Sequence, residues 1–249
     1  MSREITRPPS VQIAFRTLGR TLRHAYDNLF SLGIASVFWL LCTVPFFAII
    51  VLVLLLVGFG GTFVLSLGVL LVGLGPPSAA LHRIAQRMSE ERASSWNTFW
   101  THARADFAWS ARLSLTLLFV LLLWLVNYSF YANSANSTLQ LISGFFLVAT
   151  FVWLGIMMYA LPMALRQSEP SLRWTLRNTV VIALANLPGL IVSLLLLLIT
   201  TAIFTLLPPL FLLVPGWVAL WTEENVRLLL VASGHIPPDE IADRPRRAK

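Results

Sequence analysis

The sequence predicts an all-α polytopic membrane protein. Six transmembrane helices are expected, arranged as three hairpins, with two interfacial amphipathic helices beside them. The first observation behind this is the placement of charge. Asp, Glu, Lys and Arg are absent from residues 28–82, 113–165 and 178–222, tracts of 55, 53 and 45 residues. Each is too long for one crossing of roughly 20 residues and has room for two with a turn between. The second is composition: 57% hydrophobic and 12% charged residues, against about 45–50% and about 25% in soluble domains. The third is asymmetry. All 18 Lys and Arg fall outside the tracts, on the side that three hairpins give to both termini. Positive residues mark the cytoplasm.

Residues 1–29 form a cytoplasmic lead followed by an amphipathic helix. Val11, Phe15, Leu18, Leu22, Tyr26 and Leu29 recur at helical spacing, with Arg16, Arg20, Arg23 and His24 opposite. Such a helix is expected to lie flat on the inner leaflet. Residues 30–222 form the transmembrane domain. The first hairpin has helices at about 30–57 and 62–80, turning at Gly58-Phe59-Gly60-Gly61. Pro45 predicts a kink, and Gly75-Pro76-Pro77 predicts a break or bend, because proline lacks an N–H and crowds the preceding turn.

The cytoplasmic connector 82–112 carries Trp96, Phe99, Trp100, Ala103 and Phe107 at spacings of one helical face. This is expected to be the second interfacial helix, with Ser94 or Ser95 as its cap and its aromatics at headgroup depth. The second hairpin has helices at 113–131 and about 140–165, joined by a polar, uncharged stretch. A second connector spans 166–177. The third hairpin has helices at 179–204 and about 210–221, divided by Pro208-Pro209. Its last helix is expected to run on through Glu223 and Glu224 toward Gly234, a candidate cap. Residues 223–249 are then this helix end and a disordered tail.

No catalytic, cofactor-binding or metal-binding set stands out. Cys42 is the sole cysteine, so an internal disulfide is excluded. His24, His82, His102 and His235 lack the i, i+4 spacing of a helix-borne zinc site and are expected at the surface or the interface. Glu90-Glu91 and Glu223-Glu224 are adjacent pairs, which face different ways on a helix. The net charge of +7 fits residues flanking membrane spans better than nucleic-acid binding. The charge-free tracts argue against a proton-coupled carboxylate within the membrane. Neutral polar residues remain: Asn127, and Asn186 beside Pro188 and Gly189, form a candidate intramembrane polar site at a helix interruption. The alternative for Gly189 and Ser193 is close helix packing. Arg16, Arg20, Arg23, Trp96, Phe99 and Trp100 are the candidate interfacial residues.

Two groups of segments resemble the YesL-like family of bacterial integral membrane proteins, whose molecular function is not established. One is Phe38-Trp39-Leu40-Leu41-Cys42-Thr43-Val44-Pro45 with Gly75-Pro76-Pro77-Ser78-Ala79-Ala80-Leu81. The other is Leu161-Pro162 with Arg177-Asn178 and Ala185-Asn186-Leu187-Pro188. In the family the proline and the Gly-Pro segment usually lie close together; here residues 46–74 separate them. The resemblance implies a multi-pass protein of the bacterial inner membrane and a loose link to carbohydrate uptake. The functional expectation is a non-enzymatic accessory or scaffold protein that contacts lipid and other membrane proteins. The alternative is a transporter or channel component for an uncharged small solute.

Overall fold

The computed structural model describes residues 10–57, 59–90, 96–167 and 170–236. Among them the chain is helical, with no strand. In chain order the helices are α1 (Ser10–Asp27), α2 (Leu29–Val57), α3 (Phe59–Ser89), α4 (Trp96–Ala105) and α5 (Phe107–Ala132). Then come α6 (Ser137–Leu165), α7 (Leu172–Ala185), α8 (Leu187–Leu206), α9 (Pro208–Phe211) and α10 (Val214–Ala232). Four helical stretches among the described residues are long and apolar enough to cross a bilayer: Leu29–Ile49 within α2, and the whole of α5, α6 and α8. This is a membrane protein by the length and composition of its helices.

The α5–α6 pair shows why these elements form. Leucine-rich runs favour helix. The turn at 133–136 closes when the Asn136 side chain accepts the Thr138 N–H at 2.9 Å, a standard N-terminal cap. The two helices pack together, joined by the Trp153 indole N–H donating to the Leu117 carbonyl at 2.9 Å. In the other pair, α2 against α3, Trp39 Nε1 donates to Ser78 Oγ at 3.0 Å.

Prolines act differently from one another. α3 runs on as one helix through Pro76 and Pro77, where the sequence suggested a break or a bend; there is no break. The reason lies in packing. A Cβ on Gly75 would meet Ala111 Cα and the Ser110 carbonyl at 3.0 Å, so glycine lets α3 approach the α5 backbone, and Pro76 and Pro77 are buried. By contrast, the helix expected over 179–204 is two helices, α7 and α8, which meet at Asn186. Pro188 sits in the first turn of α8, where a missing N–H breaks no helical bond. The connector 82–112 is largely absorbed into helix, leaving α4 as its only separate element among the described residues. Gly58, Ser94, Ser95 and the tail beyond residue 236 lie outside the described residues.

α10 ends as the sequence suggested. Gly234 has φ +78°, the left-handed conformation that glycine adopts without strain. The His235 N–H bonds the Leu230 carbonyl at 2.9 Å and the Gly234 N–H bonds the Val231 carbonyl at 3.0 Å. These are the two bonds of a Schellman cap.

Burial is uneven along the bundle. Leu141, Phe145 and Val148 on α6, and Leu195, Leu198 and Ile199 on α8, are exposed. Leucine facing lipid needs no protein cover, because lipid tails are as apolar as leucine. The largest buried side chains include Trp217, Trp221, Tyr159, Phe99, Leu32 and Met88. Apart from Phe99 of α4, which packs on Phe38 of α2, they gather where α10 meets α1, α2, α3, α6 and α8. Close approach is required there too: the Gly216 N–H donates to Ser36 Oγ at 3.0 Å, and a Cβ on Gly216 would lie 2.5 Å from that oxygen and 2.8 Å from Leu32 Cδ1. Gly216→Ala is expected to destabilise the protein by about 1–2 kcal/mol through overpacking, read as a lowered melting temperature in detergent.

Candidate functional site: a buried polar and ionic cluster around α10

α10 begins as an apolar helix and ends carrying Thr222, Glu223, Glu224, Asn225 and Arg227, all of them buried. A helix buried on every side must satisfy each polar group from its neighbours. Trp217, Trp221 and Asn225 stand four residues apart and form one stripe toward α8. Trp217 Nε1 donates to Thr200 Oγ1 at 3.1 Å, and Trp221 Nε1 donates to Ser193 Oγ at 3.0 Å. Asn225 Nδ2 donates to Ser193 Oγ at 2.6 Å and to Thr17 Oγ1 at 3.2 Å. Its Oδ1 accepts from the Tyr159 hydroxyl at 2.8 Å. One carboxamide thus joins α1, α6, α8 and α10.

Charged groups surround this network. Glu223 and Glu224 have side chains that are 0% exposed. They do diverge, as adjacent helical residues must. Glu224 Oε2 accepts from Arg20 Nε at 3.0 Å, and His24 Nε2 lies 3.3 Å from its Oε1. Glu223 turns to α6, where its Oε2 accepts from Arg166 Nη2 at 3.1 Å. Its Oε1 has no hydrogen-bond partner, nor have Glu224 Oε1 and Arg166 Nε; of the two carboxylate oxygens, that of Glu224 has the His24 ion pair beside it. Burial pushes the Glu223 carboxyl from 4.5 up to about 7; Arg166 opposes that rise, Glu90 adds to it and Arg83 opposes it.

Two arginines cap helix ends. Arg83 Nη1 donates to the Leu165 carbonyl of α6 at 2.8 Å, and its Nε meets Asp106 Oδ2 at 3.3 Å. Asp106 Oδ1 also accepts from Trp109 Nε1 at 3.0 Å. Arg227 donates to the Ser89 carbonyl near the end of α3. Cations are favoured at these C-terminal ends because the carbonyls there lack helical partners.

The residues singled out from the sequence are dispersed. Asn127 Nδ2 donates to the Leu123 carbonyl of its own helix at 2.7 Å. Asn186 Nδ2 likewise bonds Ile182 of α7 at 2.9 Å, and Pro188 is exposed beside it. Gly189 and Ser193 are both buried, and Ser193 belongs to the α10 network. Arg16 and Arg23 are exposed, whereas Arg20 turns inward to Glu224. Phe99 is 0% exposed, its ring 5.8 Å from that of Phe38, and Trp100 is exposed. The side chain of Trp96 lies outside the described residues.

One expectation is corrected. His24 is buried beside Glu224. His82 is held between the Ser78 carbonyl at 2.9 Å and Thr222 Oγ1 at 3.1 Å. His24 is thus not a surface histidine, and His82 is half-buried against α10. Glu and Arg side chains, absent from the charge-free tracts, are nevertheless buried where α10 emerges from the last of them. Among the described residues no three His, Cys, Asp or Glu side chains come together to hold a metal ion.

A cavity of about 340 Å³ lies between α5, α6 and α7, lined by apolar side chains including Trp124, Phe145, Trp153 and Leu184. It shares no residue with the polar cluster. No curated protein and no solved structure matches the chain. Over residues 32–128, from α2 into α5, the chain is similar to a family described as a protein of unknown function, DUF624.

Proposed function

We propose that the chain is a non-enzymatic membrane accessory or scaffold protein, YesL-like in type, of the bacterial inner membrane. It crosses six times as three hairpins, with both termini cytoplasmic. The first hairpin uses α2 and the apolar first half of α3, the second α5 and α6, and the third α8 with α9 and the start of α10. The arginine distribution supports this orientation.

The observation that carries the functional reading is the direction in which the side chains turn. The polar and ionic groups of α10 close on one another and on α1, α3, α6 and α8. The apolar side chains of α5, α6 and α8 face outward along the spans. Such a surface is open to lipid and to the spans of neighbouring membrane proteins alike, and any contact with those spans would be made by van der Waals packing. The resemblance directs attention to components of carbohydrate uptake systems as partners.

Tagged protein purified from its own membranes in mild detergent is expected to retain a second membrane protein, identified by mass. Recovery of the chain alone contradicts the reading. Transport of an uncharged solute is the second reading, motivated by the helix interruption at Asn186. It requires flux in liposomes that falls in Asn186→Ala. The carboxamide's bond to its own helix favours the accessory role.

A further inference from the structure

The two buried carboxylates of α10 have unequal surroundings. Glu224 faces two basic side chains of α1, Arg20 at Oε2 and His24 at 3.3 Å from Oε1, and that Oε1 makes no hydrogen bond. Glu223 meets one cation, Arg166, through one oxygen, and its other oxygen is unpartnered at 0% exposure. The charged and titratable groups around α10 come from α1, α3 and α6, which pack on it, and from α10 itself. α3 presents Arg83 and His82, the latter bonded to Thr222, and Glu90 follows directly on its last residue. α6 brings Arg166 at its end and the Tyr159 hydroxyl; α1 brings Arg20 and His24; α10 itself adds Glu224 and Arg227. α2 and α8 contain no charged residue.

A buried carboxylate is stable only when its charge and both oxygens are compensated. Glu223 is compensated on one side. A proton placed on the free Oε1 removes the uncompensated charge. Arg166 is then left with a neutral acceptor, and its own side chain is 14% exposed, so it has a route to water.

We propose that Glu223 is a proton-binding site, and that loading it frees Arg166 from α10 at the end of α6. The proton comes from water and bonds to Oε1; Arg166 keeps its charge and exchanges the carboxylate for water. Burial displaces this carboxyl to about 7, so it changes state across the neutral range. The inference does not depend on what binds the lateral face of the bundle.

The test is infrared difference spectroscopy of the full chain in lipid nanodiscs, titrated between about pH 5 and pH 9. The carbonyl stretch of an un-ionised carboxylic acid is expected to appear with a midpoint near 7. It should vanish in Glu223→Gln and persist in Glu224→Gln. Should Glu223→Gln fail to fold, Arg166→Gln supplies the decision: loss of the opposing cation raises the midpoint by a pH unit or more. The site is refuted by a wild type with no such band above about pH 5.5, by a band that survives Glu223→Gln, or by a midpoint unmoved in Arg166→Gln. Hydrogen exchange of residues 163–167, corrected for intrinsic rate, reads the release of Arg166. It is expected to be several-fold faster at the acid end in wild type and flat in Glu223→Gln; no pH dependence in wild type refutes the coupling.

Discussion

Asn225→Leu is expected to cost on the order of 3 kcal/mol, because each buried polar group left without a partner costs about 1–3 kcal/mol. Leucine is close in size, so the packing volume is nearly conserved and the loss is one of hydrogen bonding. The Tyr159 hydroxyl loses its acceptor, while Ser193 and Thr17 lose a donor. Ser193 keeps the Trp221 indole, which limits the damage on α8. For a chain of this size the loss corresponds to a melting temperature lower by roughly 6–12 °C, measurable by tryptophan fluorescence in detergent. Asn127→Leu, whose carboxamide serves only its own helix, is expected to change the melting temperature little.

The second large effect is pH dependence. In the unfolded chain Glu223 ionises near 4.5, and in the fold near 7. Its folded pKa is the higher one, so the fold holds the proton more tightly. Stability from this group is complete below about 4.5 and is lost as pH rises to about 7. At about 1.4 kcal/mol per pKa unit, that loss is about 3 kcal/mol in total. Thermal denaturation from pH 5 to 8 should therefore show wild type losing stability relative to Glu223→Gln across that window. Equal slopes for the two proteins contradict the assignment.

Much of the fold was legible because charge is a strong constraint on membrane segments. The arginines and acids bracket α5 and α6 closely, and the Asn136 turn lies within the polar stretch between them. Gly234 was legible because a helix end so often requires a left-handed residue. Pro188 marked the interruption, although one helix was expected where α7 and α8 meet. The buried cluster was not legible, for a physical reason. Glu223 and Glu224 follow an apolar run, where local reasoning sends a charged helix end into water. Their compensation comes from elsewhere in the chain; Arg20 and Glu224 are 204 residues apart.

A signal for that contact was present on α1. Ala14, Thr17, Thr21 and Ala25 share a face and are buried against neighbouring helices. Small residues allow helices to approach closely. The more conspicuous apolar set of Val11, Phe15, Leu22, Tyr26 and Leu29 remains exposed. α1 therefore has three faces: small and docked, basic, and apolar outward. Amphipathicity alone distinguished only two.

Everything proposed for α10 depends on α1 being docked against it and α8 rather than lying apart on a leaflet. Thr17→Cys combined with Asn225→Cys, in a Cys42→Ala background, measures this in native membranes. The two side chains are in hydrogen-bond contact at 3.2 Å, so a short thiol cross-linker should join them and abolish later thiol labelling, while either single cysteine stays unlinked. If both thiols remain free and residue 17 reacts with a membrane-impermeant reagent as readily as an exposed cysteine at residue 16, α1 is not docked and the buried cluster is not assembled as described.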